Sequence, residues 1–106
     1  MIINDKVIYK IYIFGAISND PDHKKKFEAA AKKLRAKGYT VLSPIETESY
    51  RSKMSERVCM FDALEKMKEA DAITPVSDIE SEGASIEYLL AKKCSMPIIS
   101  LEDLLK

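Results

Sequence analysis

The 106 residues carry 17 Lys+Arg against 17 Asp+Glu, a formal net charge of zero, so no global basic field is available for non-specific binding to a nucleic-acid polymer. One domain spanning residues 1–106 fits this length and can bury most of a single core without disulfides or metal. No apolar run reaches membrane-spanning length, and Met1 to Asp5 lacks the basic flank and apolar stretch of a signal peptide, which predicts a soluble cytoplasmic protein with no membrane partner.

Val7 to Phe14 is β-branched, aromatic and almost continuously apolar up to Gly15, the pattern of a strand buried on both faces. Ser18-Asn19-Asp20-Pro21 offers an N-cap and a proline for the first helical position, after which Phe27, Ala30, Ala31 and Leu34 repeat at helical spacing as far as Gly38. The lysines between Lys24 and Lys37 fall on the solvated side of that helix. Tyr39 to Ser43 reads as a second strand closed by Pro44. The polar connection from Pro44 to Ser55 is longer than an ordinary strand-to-helix loop, and such loops are often lids.

Ser55-Glu56 opens a helix whose core residues are predicted to be Val58, Phe61, Leu64 and Met67. Asp71 to Val76 is a third strand, irregular near Pro75. A turn through Ser77, Asp78 and Ile79 leads to a helix from about Gly83 to Ser95. Met96 to Ser100 is a fourth strand, and Leu101 to Lys106 a short terminal helix. Cys59 and Cys94 form no CxxC and read as small buried hydrophobes of a reduced protein. His23 stands among lysines with no second ligand at metal-binding spacing. Strands alternating with helices predict a flavodoxin-like three-layer α/β sandwich with a four- or five-stranded parallel sheet, and ligands of such sheets sit beyond the carboxyl ends of the strands. The loop after the first strand, the loop after the second and the turn at Ser81 converge there.

One carboxylate in that region needs a reason. On a helix beginning near Gly83, Glu87 shares its azimuth with Gly83, Ala84, Leu90, Ala91 and Cys94, all small or apolar. An ionised carboxylate on a core-facing stripe costs several kcal/mol unless it is paired, neutralised or open to a cavity. Ser81 caps the same helix or adds a hydroxyl to an anion site at its amide end. Neither GxxxxGK[ST] nor a dinucleotide fingerprint is present.

The ordered set Tyr12-Ile13-Phe14-Gly15-Ala16-Ile17-Ser18, then Phe27 through Gly38-Tyr39-Thr40-Val41-Leu42-Ser43-Pro44, then Met60 through Ala70-Asp71-Ala72-Ile73, then Ser81-x-Gly83-Ala84-x-x-Glu87 and Ala91, resembles the nucleoside 2-deoxyribosyltransferase superfamily, most of all its short bacterial and phage branch. The resemblance runs from about Lys10 to Ser100. It implies that Glu87 is the catalytic glutamate attacking the anomeric carbon of the sugar, with Tyr12 beside it. Ser81, at the position of a sugar-holding aspartate in the transferases, is similar to the phosphate-contacting serine of the 2′-deoxynucleoside 5′-monophosphate N-hydrolases, and Ser18 belongs to the same pocket by analogy. The family's second carboxylate aligns with Ala63, whereas Asp62 is one residue away, a rotation of about 100° on a helix.

The implied chemistry is cleavage or transfer at an N-glycosidic bond through an oxocarbenium-like transition state, with Glu87 as nucleophile. Asp62, Asp71 or a partner subunit is expected to assist the departing base. Gly15, Ser18, Ser81, Gly83 and Asp71 are the candidate substrate-binding residues, for a nucleoside or its 5′-monophosphate. No metal or cofactor is expected, and the resemblance implies at least a homodimer. Two rivals stand beside this reading: a non-catalytic nucleotide-binding module of the same fold, and an α/β assembly domain with Glu87 at an interface.

Overall fold

The computed structural model describes residues 1–77 and 81–106; the expected turn at Asp78 and Ile79 lies outside the described residues. The predicted first strand is divided. Lys6–Val7 (β2) pairs antiparallel with Ile2–Ile3 (β1) around Asn4 and Asp5, which both take positive φ, 50° and 66°, as a two-residue hairpin loop requires. Lys10–Phe14 (β3) then enters the main sheet, with Ile11 to Phe14 fully buried.

β3 is the middle of three parallel strands. On one side it pairs with Thr40–Leu42 (β4), Tyr12 opposite Leu42, and on the other with Ala72–Pro75 (β5), Tyr12 opposite Ile73. The expected fourth strand is reduced to one parallel bridge between Ile73 and Ile98, made by Ile73 N–H to Pro97 O and Ile99 N–H to Ile73 O, both 3.0 Å. Pro97 has no N–H to extend the ladder, and Ser100 already caps the next helix through the Asp103 N–H. Among the described residues the regular parallel sheet therefore has three strands, not four or five.

Helices cover both faces. Ile11 and Ile13 pack on one side with Phe27, Ala31 and Leu34 of α1 (His23–Ala36) and Leu104 of α5 (Leu101–Leu104). Tyr12, Phe14 and Ile73 pack on the other with Ala63 and Met67 of α3 (Glu56–Lys68) and Ala84 and Ala91 of α4 (Glu82–Lys93). This alternation along β3 is the two-residue period of a strand buried on both sides, and it makes a three-layer α/β sandwich of the flavodoxin-like type. Strand order reverses at β3, so the crevice beyond its carboxyl end is the topological switch point.

Several sequence expectations shift. α1 starts at His23, not Pro21, and Gly38 ends it at φ 95°. Phe61 is 64 % exposed, while Ala63 and Met67 are buried. Positions 58, 61, 64 and 67 step by three, so each is turned about 60° from the last and the set cannot share one face; 63 and 67 step by four and do. Cys94 is exposed and Cys59 half-buried, which corrects their reading as buried hydrophobes. The Pro44 to Ser55 segment is not an open loop. It folds as a 3-10 turn (Pro44–Glu46) and a helical turn, α2 (Glu48–Arg51), where Thr47 Oγ1 accepts from Tyr50 N–H and donates to Pro44 O.

Candidate active site

Glu87 lies on α4 one turn past Ala84, and Tyr12 lies on β3 facing the same helix layer. The two side chains meet: the Tyr12 hydroxyl donates to Glu87 Oε2. Tyr12 is fully buried and Glu87 only 4 % exposed. Burial disfavours the carboxylate and pushes Glu87 up to about 7, against the opposing pull of the Tyr12 hydrogen bond. The phenol is held well above its ordinary value by burial, then by the charge of Glu87 and by the hydrogen bond it donates. Near neutral pH the phenol keeps its proton, and the Glu87 carboxyl is the group poised between its two states.

Glu87 forms part of the wall of a cleft of about 620 Å³ at the carboxyl end of the sheet. Gly15, Ile17, Ser18 and Asn19 supply one side, from the loop after β3. Pro44, Tyr50 and Met54 come from the folded segment after β4, Glu56, Cys59, Met60 and Ala63 from α3, and Ser81, Glu82, Gly83 and Ala84 from the start of α4. The three segments expected to converge do so. Gly15 permits a close approach, since a Cβ there would stand 2.4 Å from Ser77 Oγ, which accepts from Ala16 N–H at 3.1 Å. Ser81 Oγ accepts from Ala84 N–H at 3.2 Å and so serves as the N-cap of α4.

Two expected residues fall elsewhere. Asp62 is exposed and does not line the cleft; Ala63, next to it, does. Asp71 stands at the opposite end of the sheet, before β5, where its Oδ2 accepts from Tyr9 N–H (2.9 Å) and Lys10 N–H (2.7 Å). Those backbone hydrogen bonds, Lys10 first, lower its pKa, and it borders a different cleft of about 620 Å³. Asp71 ties strand entries together, and its placement as a substrate ligand is corrected.

Tyr50 and Glu56 line the cleft without having been singled out by sequence. His23 holds Tyr50 from behind: Nδ1 is 2.9 Å from Asp20 O and Nε2 2.8 Å from Tyr50 Oη. A carbonyl oxygen only accepts, so Nδ1 carries a proton and donates to Asp20 O, while Nε2 holds the Tyr50 hydroxyl. Arg35 clasps Glu46 with both guanidinium nitrogens, at 2.6 and 3.0 Å, from the same helix. These contacts link residues 27 and 11 positions apart, separations that carry no local sequence signal.

Residues 9–100 match the model of a domain of unknown function, DUF4406. The chain belongs to the DUF4406 family. Among solved structures, the fold is shared with the 2-deoxyribosyltransferase of the psychrotolerant bacterium Bacillus psychrosaccharolyticus, at TM-score 0.60 and 21 % identity, covering 86 % of this chain and 70 % of that one. No curated protein matches the sequence. The DUF4406 chain therefore shares the fold of that 2-deoxyribosyltransferase, and among its described residues no helix is long and apolar enough to cross a membrane.

Proposed function

We propose that this protein cleaves or transfers at the N-glycosidic bond of a nucleoside or its 5′-monophosphate, with Glu87 as the nucleophile. The observation that carries the reading is the buried Tyr12–Glu87 pair opening onto a cleft at the switch point of the sheet. The Glu87 carboxylate forms a bond to C1′ as the C1′–N bond breaks, and its electron pair leaves with the base. Water, or a second base in a transferase, then displaces the carboxylate from C1′. Tyr12 orients the carboxylate and keeps a fraction of it ionised despite burial. Ser18, Gly15 and Gly83 border the space for the sugar. A second copy of the chain covering the open side would complete the site as a homodimer.

A non-catalytic nucleotide-binding module is the second reading, favoured by the exposure of Asp62, which leaves Ala63 facing the cleft. Incubation of the protein with deoxynucleosides, ribonucleosides and their 5′-monophosphates, followed by chromatography of released base, separates the two. Base release that Glu87→Gln lowers by about 10³-fold or more supports the enzyme. Binding without release in the parent protein supports the module and overturns catalysis.

A further inference from the structure

The charge around the cleft is one-sided. Glu56, Glu82 and Glu87 line it, and among the described residues no lysine, arginine or histidine does. His23 reaches the back of Tyr50, and Lys24, Arg51 and Lys53 border the neighbouring cleft, which shares Tyr50 with this one. The amide end of α4 offers little compensation to an anion, because Ser81 already accepts from Ala84 N–H and Glu82 occupies the first turn. A phosphate dianion entering here faces three carboxylates with no countercharge.

Proton supply is equally one-sided. Of the described residues lining the cleft, Gly15, Met60, Ala63 and Ala84 carry no ionisable or hydroxyl group, Ser18, Tyr50, Cys59 and Ser81 carry hydroxyls or a thiol without being fully buried, and the Tyr12 hydroxyl is committed to Glu87. Glu56 is exposed, as is Glu82, and both belong to the first turns of their helices. A neutral purine or pyrimidine leaves C1′ as an anion unless it is protonated, and among the described residues of the cleft the one buried carboxyl is the nucleophile Glu87 itself, so no second buried carboxylic acid supplies that proton. A cationic base needs none, since bond cleavage returns the electron pair to the positive ring and releases a neutral molecule.

We propose that the Glu87 cleft takes an unphosphorylated N-glycoside whose heteroaromatic base is cationic, a pyridinium nucleoside being the simplest case. The proposal rests on the reading of Glu87 as nucleophile and narrows its substrate. The flat cation finds attraction from Glu56 and Glu82 at the mouth and from the ring of Tyr50, with the thioethers of Met54 and Met60 as apolar wall. Glu87 Oε forms the C1′–O bond as C1′–N⁺ breaks and the base departs neutral. Water then attacks C1′, the C1′–O bond to Glu87 breaks, the carboxylate is restored, and one proton passes to solvent. Charge and atoms balance with water as the only co-reactant.

Three 2′-deoxyribosides test it: the nicotinamide riboside analogue carrying a pyridinium base, its 5′-monophosphate, and deoxyinosine, each rate divided by its own uncatalysed rate in the same buffer. The expected kcat/KM acceleration for the pyridinium nucleoside exceeds that for deoxyinosine by about 100-fold, and the 5′-phosphate lowers it by about 10-fold or more. The double variant Glu56→Gln/Glu82→Gln shrinks the cationic-to-neutral ratio by about five-fold, and high salt does the same. Calorimetry on Glu87→Gln gives a readout apart from turnover, with the cationic nucleoside binding more tightly than deoxyinosine. A normalised ratio of one or less, or improvement by the phosphate, overturns the proposal. If deoxyinosine is cleaved in that case and Glu87→Gln abolishes the cleavage, the glycosidase reading survives without it; no release and no binding of any of the three sinks both.

Discussion

At Glu87, burial and the Tyr12 hydroxyl act in opposite directions, and the balance lies near neutrality. A nucleophilic carboxylate must be ionised, so kcat/KM is expected to rise with pH and level off above about 7. Tyr12→Phe removes the interaction that favours the ionised form. Its rising limb should move to higher pH, with a loss of about tenfold at pH 7 and partial recovery at pH 9; a pH–rate profile checks this. Stability follows the same proton. The unfolded chain releases it near 4.5 and the folded protein near 7, so across that interval the folded state binds more protons and stability falls as pH rises. Above pH 7 the full cost, at most about 3 kcal/mol, is present. Glu87→Gln abolishes the ionisation and should melt higher than the parent at pH 8 but not at pH 4, which thermal unfolding at the two pH values reads directly.

At the scale of elements, Asp71 shows how an acid near a candidate site can belong to the scaffold. Its carboxylate joins the start of β5 to the backbone entering β3, and Asp71 N–H donates to Lys10 O at 2.8 Å, so both strands begin in register. Asp71→Ala should cost about 1 kcal/mol, discounted for solvent screening, and leave KM and kcat unchanged. The lowered carboxyl contributes stability above its unfolded value that is lost as pH falls through the folded one, so the difference from Asp71→Ala should vanish in acid. β3 and α1 were legible because their apolar periods are long and unbroken. Glu87 was legible because a lone carboxylate interrupted such a period. The hairpin at Asn4 and Asp5, the single bridge at Ile98 and the rotated core of α3 were not, since each depends on backbone φ, on a missing N–H or on drift that a three-residue repeat conceals. Asp62 follows from the same drift: one residue from Ala63, it faces solvent, and Asp62→Ala should keep base release within about twofold of the parent.

Considered whole, the molecule is unequal on its two faces. The α1 layer presents lysines to solvent, whereas the α3 and α4 layer leaves Phe61 and Leu89 about two-thirds exposed, at 64 % and 65 %, with Ile86 and Leu90 less so. Scattered apolar side chains are ordinary on a surface, but four large ones on two helices of one layer fit an interaction face. That layer also bears Glu87 and Ala63, so a second copy seated on it would lie close to the mouth of the cleft. Equilibrium sedimentation should give twice the chain mass at micromolar concentration, and Phe61→Glu should return the monomer while circular dichroism stays unchanged. If the partner completes the site, specific activity should fall with dilution through the same range in which the dimer dissociates, and Phe61→Glu should lose activity without any change at Glu87 or Tyr12. Activity independent of concentration in a monomeric Phe61→Glu protein would show instead that one chain carries the whole site.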